Sequence, residues 1–195
     1  MAATPRNNTG QPSRRAHPDI VPGARAVFSA FCLLLCLALT ACTGNQPTPQ
    51  QRHDTALALL NQTMKDFHQP SAEATGAARV QLLNQAAASY ADLLKKCSDQ
   101  PDLCAQALRN LGSIRAAQGR LDEAVGRYSD VAKKYPQQDW EVLQSWKSAA
   151  DLLADAKRTV EAKVFYGKIV ERFDRTNAPP VVKTIVRGSK SRLLE

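Results

Sequence analysis

From Arg52 onward the apolar positions recur every three or four residues, and the recurrences are broken by short clusters of Pro, Gly, Asp and Gln. Leu57, Leu60, Met64 and Phe67 keep this spacing and predict a helix over 52–67. Pro70, Ser71 and Gly76 predict a loop over 69–76. Val80, Leu83, Ala87, Tyr90 and Leu94 then mark a helix over 77–96. Two further helices are expected over 142–154 and 160–173, and a last one over 181–194 after Ala178-Pro179-Pro180. Period-two alternation is not sustained anywhere, so strands are not expected.

Between these lies the stretch from Ala105 to Gln138, which sets the plan of the chain. Leu108, Leu111 and Gly112 come first; Ala124, Tyr128, Val131 and Pro136 follow. Gly112 and Ala124 are small enough for two helices to cross closely, and Tyr128 fills the space beside them. Gly119 suits a helix end that needs positive φ, and Pro136 stops the second helix. This pattern resembles a tetratricopeptide (TPR) repeat, although Arg115 stands where an aromatic is often found. Ala86 and Tyr90, and again Ala162 and Tyr166, repeat the Ala-to-Tyr spacing. Ala149-Ala150 occupies the Leu-Gly place. The interval from Ala124 to Ala162 is longer than one such repeat, so about four extra residues belong in the PQQDW turn or in a helix lengthened to Trp140. The resemblance implies an all-α fold, a short TPR-like right-handed α-solenoid of about six or seven helices. In it the last helix caps the open end or, as the alternative, meets lipid headgroups. Trp140 and Trp146 are read as packing residues.

Ahead of the repeats, residues 1–25 are polar and carry Pro5, Pro12, Pro18 and Pro22. The run from Ala26 to Ala41 is apolar and uncharged, and it falls short of the roughly 20 residues a membrane span needs. Arg25 before it and small residues at its end predict a secretory signal. Leu39-Thr40-Ala41-Cys42 resembles a bacterial lipobox, which implies cleavage before Cys42 and lipidation of its thiol and amino group. Acyl chains in that number give stable anchoring, and Thr43 favours the outer membrane. The expected organisation is therefore 1–41 signal peptide with its polar leader, 42–51 lipidated Cys and flexible tether, and 52–195 helical domain.

Charge alters this picture little. The chain carries Lys+Arg 26 against Asp+Glu 18, a net +8, of which the part from Cys42 on holds +5. Export and the lack of interleaved basic and aromatic residues argue against nucleic acid as a partner. Phosphate-binding loops, His-Glu-x-x-His helices and nucleophile elbows are missing from the sequence, so no catalytic residue, metal or cofactor is expected. His53 and His68 are far apart in sequence, belong to no Cys/His cluster, and are read as solvated surface histidines. Processing removes Cys32 and Cys36 and lipid occupies Cys42, which leaves Cys97 and Cys104 across the turn CSDQPDLC. In an oxidising compartment a disulfide is expected there. It would be worth about 2.5 kcal/mol, with two independent buried thiols as the alternative.

In TPR proteins the concave face is lined mainly by the first helix of each repeat. The resemblance carries its groove positions onto Gln106, Arg109, Ser113 and Ala116, and onto Gln144, Lys147, Asp151 and Ala154 in the next repeat. Arg109 and Lys147 then stand at equivalent places and suit a carboxylate; the alternative is solvated charge, with Lys147 paired to Asp151 one turn on. The whole is similar to the TPR lipoproteins of outer-membrane assembly and to Tol–Pal-linked periplasmic proteins. It implies a non-enzymatic interaction module, lipid-anchored in the cell envelope at the outer membrane and facing the periplasm, with a protein or peptide partner. The alternative class is a substrate-binding lipoprotein or an enzyme accessory subunit.

Overall fold

The chain divides into two units, Met1–Gln46 and Pro47–Glu195. The computed structural model describes residues 46–195, and all helices discussed below lie in the second unit. The first, α1 (Pro49–Thr63), continues through a π-helical turn (Met64–His68) into the short α2 (Gln69–Glu73). Then follow α3 (Gly76–Lys96), α4 (Pro101–Ala117), α5 (Leu121–Lys134), α6 (Asp139–Asp155), α7 (Thr159–Phe173) and α8 (Pro180–Leu194). With α1 and α2 counted as one rod, seven helices stack, each packing against its neighbour in the chain; strands are absent from the described residues. The arrangement is a TPR-like helical solenoid. Helix α4 also touches α6 directly, so the first helices of successive repeats form a continuous inner layer.

Local chemistry explains the ends of the first rod. Thr48 Oγ1 accepts from the Gln51 amide at 3.2 Å, and Gln51 Oε1 accepts from the Thr48 amide at 2.8 Å. This reciprocal capping box, with Pro49 in the first turn, starts the helix at Pro49 rather than at Arg52 and shortens the expected tether. Pro70 does not open a loop. Its ring would clash with the carbonyl four residues back, and the chain widens into the π turn just ahead of it, where the Gln69 amide reaches the Met64 carbonyl. The real break is only Ala74 and Thr75, both extended, before Gly76 at φ +56°.

Helix α4 is the spine. Leu103, Ala105, Ala107, Leu108, Leu111 and Ile114 are all buried. Ala107, Leu111 and Ile114 face Leu60 of α1 and Leu83, Ala86, Tyr90 and Leu93 of α3. Ala105 and Leu108 belong to the second cluster, with Tyr128, Val131, Val142, Leu143, Leu153, Tyr166 and Ile169. Each such aliphatic side chain contributes about 1.5–3 kcal/mol on burial. Val80, expected on the buried face of α3, is 57% exposed, because Leu83, Ala86, Ala87, Tyr90 and Leu93 supply that face.

Two helix pairs, α4–α5 and α6–α7, repeat closely. The offset from Pro101 to Asp139, where α4 and α6 start, equals that from Leu121 to Thr159, where α5 and α7 start. The extra residues therefore lengthen the first helix of each unit. Both first helices end in the same cap. The Gly119 amide reaches the Ala116 carbonyl and the Arg120 amide that of Arg115; Lys157 and Arg158 reach Ala154 and Leu153 in the same way. This is a Schellman closure, with Gly119 at φ +74° and Lys157 at φ +62°. Arg120 pairs with Glu123, Arg158 with Glu161, and Arg158 also bonds Asp122 of the preceding unit at 2.5 Å. At the far end, α8 packs Val186 and Ser189 onto the stack and ties Lys190 to Asp174. Its packing is that of a terminal cap.

These geometries set two stability expectations. A Cβ built on Gly112 would lie 2.7 Å from Tyr128 Cε1, and that ring is buried and bonded to Ser113. Gly112→Ala is therefore expected to lose about 1–2 kcal/mol net of its gain in helix propensity. Lys157→Gly removes left-handed strain from a side-chain-bearing residue and is expected to gain about 0.5–1 kcal/mol. Urea unfolding midpoints of the two variants should move in opposite directions.

Candidate functional site

The inner face is built by α4 and α6, with α8 closing it beyond α6. The six groove positions Gln106, Arg109, Ser113, Gln144, Lys147 and Asp151 fall on these first helices, and all are half-buried. They stand in matching register, with Gln144 answering to Gln106, Lys147 to Arg109 and Asp151 to Ser113. The tyrosines of the second helices reach across to them. Tyr128 Oη lies 3.1 Å from Ser113 Oγ, and Tyr166 Oη donates to Asp151 Oδ1 at 2.9 Å. Burial, with Asp151 close by, pushes the Tyr166 phenol up to about 12.

The two cations are not presented as a bare pair. Arg109 Nε donates to Glu141 Oε2 at 2.5 Å, and the two side chains are only 23% and 14% exposed. Lys147 Nζ bonds Asp151 Oδ2 at 2.5 Å, each side chain 44% exposed. Arg109 thus spends its charge on joining α4 to α6, and an incoming carboxylate would have to displace Glu141 to reach it. Lys147 is the more accessible of the two. A cleft of about 460 Å³ opens between α6 and α8, where Lys147 and Asp151 meet Tyr166, Ile185 and Arg192. Its charges are mixed, which suits a polypeptide carrying both signs better than a single anion.

A second cleft, of about 360 Å³, lies where the loop before α8 leaves the stack. Trp140, Leu143, Phe173, Pro179 and Val182 line it, with Asp139 and Arg175 at the rim. Trp140 is 48% exposed rather than a packing residue; Trp146 is partly buried against the core, edge-on to Phe173 at 6.1 Å with Arg172 above its ring.

The histidines also depart from expectation. His53 Nδ1 lies 3.0 Å from Gln100 Oε1. His68 sits in the π turn, half-buried, with Nδ1 3.0 Å from Tyr90 Oη, which accepts from Asn110 Nδ2 at 3.4 Å. Burial, and then the charge of Arg109, holds His68 below its usual 6.5. Burial raises the Tyr90 phenol to about 12. Sequence reasoning missed this polar knot because its members come from three helices; the signal available was Pro70, two residues after His68.

Cys97 and Cys104 are free thiols, so the expected disulfide is not formed in this structure; the Cys104 thiol instead donates to the Cys97 carbonyl at 3.0 Å. Cys42 and the apolar run before it lie outside the described residues. Among the described residues no helix is long and apolar enough to cross a membrane, and no group of three His, Cys, Asp or Glu is placed to hold a metal ion.

Helices packed in successive pairs, with α4 and α6 side by side on the inner face, define a helical solenoid. Residues 106–137 match the family model of the tetratricopeptide repeat. No curated protein matches the chain.

Two outcomes follow from these contacts. Arg109→Ala strands Glu141 and is expected to lose about 1–2 kcal/mol of stability, with Arg109–Glu141 coupling of about 1 kcal/mol in a double-mutant cycle. Lys147→Ala should cost under about 0.5 kcal/mol, as exposed pairs do. Because the unfolded chain protonates His68 first, its contribution is present above about 6.5 and is lost as pH falls through the lower folded value. Stability should decline as pH falls below about 6.5, and His68→Gln should flatten that decline.

Proposed function

We propose that the chain is a lipid-anchored, non-enzymatic TPR interaction module of the bacterial periplasm, acting in cell-envelope biogenesis. The observation that carries the interaction half is the open inner face of α4, α6 and α8, whose central repeat matches the tetratricopeptide family. The anchoring half rests on Leu39-Thr40-Ala41-Cys42 after an uncharged apolar run. Diacylglyceryl on the Cys42 thiol and an acyl group on its amine hold the domain at the membrane, and Thr43 leaves it free to sort to the outer one. Only a few residues lie between Cys42 and the cap at Thr48.

The partner is a protein segment that lies along the inner face over Gln106, Ser113, Gln144, Lys147 and Asp151. The mixed charge of that face makes its binding sensitive to salt. Lys147 is the cation a partner carboxylate can reach, by competing with Asp151.

Anchoring and recognition are tested separately. Cys42→Ser should abolish labelling by a fatty-acid probe and release the protein from membranes; a labelled, membrane-bound Ser variant would defeat the anchor. A photo-crosslinker at Gln144 should capture an envelope protein, and Lys147→Ala should reduce that capture several-fold while leaving the thermal midpoint in place. Undiminished capture in Lys147→Ala would move the interaction to another face.

A further inference from the structure

The turn between α3 and α4 carries more chemistry than a connector needs. Cys97 is the C-cap of α3, half-buried, and Cys104 lies fully buried in the first turns of α4. Sγ of Cys104 is 3.0 Å from the carbonyl oxygen of Cys97. That oxygen is about 2.4 Å from its own α-carbon, which places the Cys104 sulfur within about 5.4 Å of the Cys97 α-carbon. To form a disulfide the Cys104 sulfur turns from that carbonyl toward the Cys97 side chain, where an S–S bond of about 2 Å would form.

The same turn is where the first rod is fastened. Arg52 Nε of α1 pairs with Asp99 Oδ2 at 2.8 Å, and His53 Nδ1 meets Gln100 Oε1 at 3.0 Å. Both partners lie between the two cysteines. Tyr135, the C-cap of α5, lies near enough to the Cys104 thiol to shift its proton affinity. A covalent link across this turn would therefore fix the seat of α1 as well as the α3–α4 joint.

We propose that Cys97 and Cys104 are a redox pair that closes into an intrachain disulfide by exchange with a small-molecule or protein disulfide, and that the bond staples the first rod to the repeats. The structure holds the reduced form. The more exposed Cys97 attacks first: its thiolate forms a bond to one sulfur of the oxidant disulfide, whose S–S bond breaks and releases one thiolate. Cys104 then loses its proton and attacks the Cys97 sulfur, expelling the second thiolate. Two protein thiols are oxidised, one external disulfide is reduced to two thiols, and the two protons go to the departing sulfurs. Burial first, then Asp99 and Asp92, raises the Cys97 thiol, and burial raises Cys104. Neither is a standing thiolate, which fits a structural staple rather than a catalytic dithiol. The inference concerns this turn alone and stands or falls independently of the lipid anchor and the partner.

The sequence makes the test direct. Cleavage after Lys96 and Arg109 releases one peptide, Cys97 to Arg109, that holds both cysteines and none of the other three. The full chain in detergent is equilibrated with mixtures of oxidised and reduced glutathione, quenched with an alkylating agent, digested and weighed. Both alkylation sites of that peptide should vanish together, leaving a species two hydrogens lighter and free of glutathione. Cys97→Ser should instead leave Cys104 alkylatable or singly glutathionylated. The thermal midpoint of the oxidised wild type should rise by about 5–10 °C over the reduced form. Two intact alkylation sites at the most oxidising ratio, or glutathione on both cysteines, would overturn the pair. A closed disulfide with an unmoved midpoint would overturn the staple.

Discussion

The close crossing of α4 and α5 is the constraint on which the stack depends. Gly112 brings the backbone of α4 to within a side chain's width of the Tyr128 ring. That approach lets a single helix be buried on two sides, with Leu111 and Ile114 turned to the first rod and α3, and Leu108 turned to the next repeat. A helix buried on both faces cannot shift its register without exposing apolar surface on one of them. The local crossing therefore fixes the order of everything packed on either side, as expected where stability is a sum of nearest-neighbour interfaces.

Charge reinforces the same joints. The charge of Arg109 reaches His68 and Tyr90 of the first helices and Tyr128 of its own repeat, and Arg109 bonds Glu141 of the following one. Arg158 and Arg172 do similar work further out, to Asp122 and to Asp139 with the Pro136 carbonyl. These outer pairs are more exposed and individually weak. Arg109 and Glu141 are shielded, so their mutual satisfaction matters chiefly because losing one leaves the other uncompensated.

Much of this is readable in the residues, and what is not has a physical cause. Gly119, Tyr128 and Pro136 announce a turn, a packed ring and a stop because each acts through its nearest neighbours in the chain. The offset between Ala124 and Ala162 likewise carries Lys147 and Asp151 to the places where α6 holds them. The capping box of Thr48 and Gln51 is equally local, but a Pro-bearing polar run masks it. Pro70 reads as a break, since the π turn that absorbs it depends on the packing of His68 against Tyr90. Arg109 and Glu141 lie in different repeats, and sequence spacing gives no view of a contact made between them.

That last contact changes what the inner face can recognise. Two unpaired cations on adjacent helices would make a strong, salt-sensitive site for one carboxylate. The structure offers one shielded pair and one exposed pair, and Tyr166 holds Asp151 from behind. A partner then gains little from a single charge and must complement an alternation of sign along the groove, at Lys147, Asp151 and Arg192. Recognition of this kind gains specificity from misplaced charges being repelled more than from well-placed ones being attracted. On the proposed reading, the described stack would select its partner by the spacing of charges along a segment, and that spacing is set by the same helix register that Gly112 and Tyr128 hold in place.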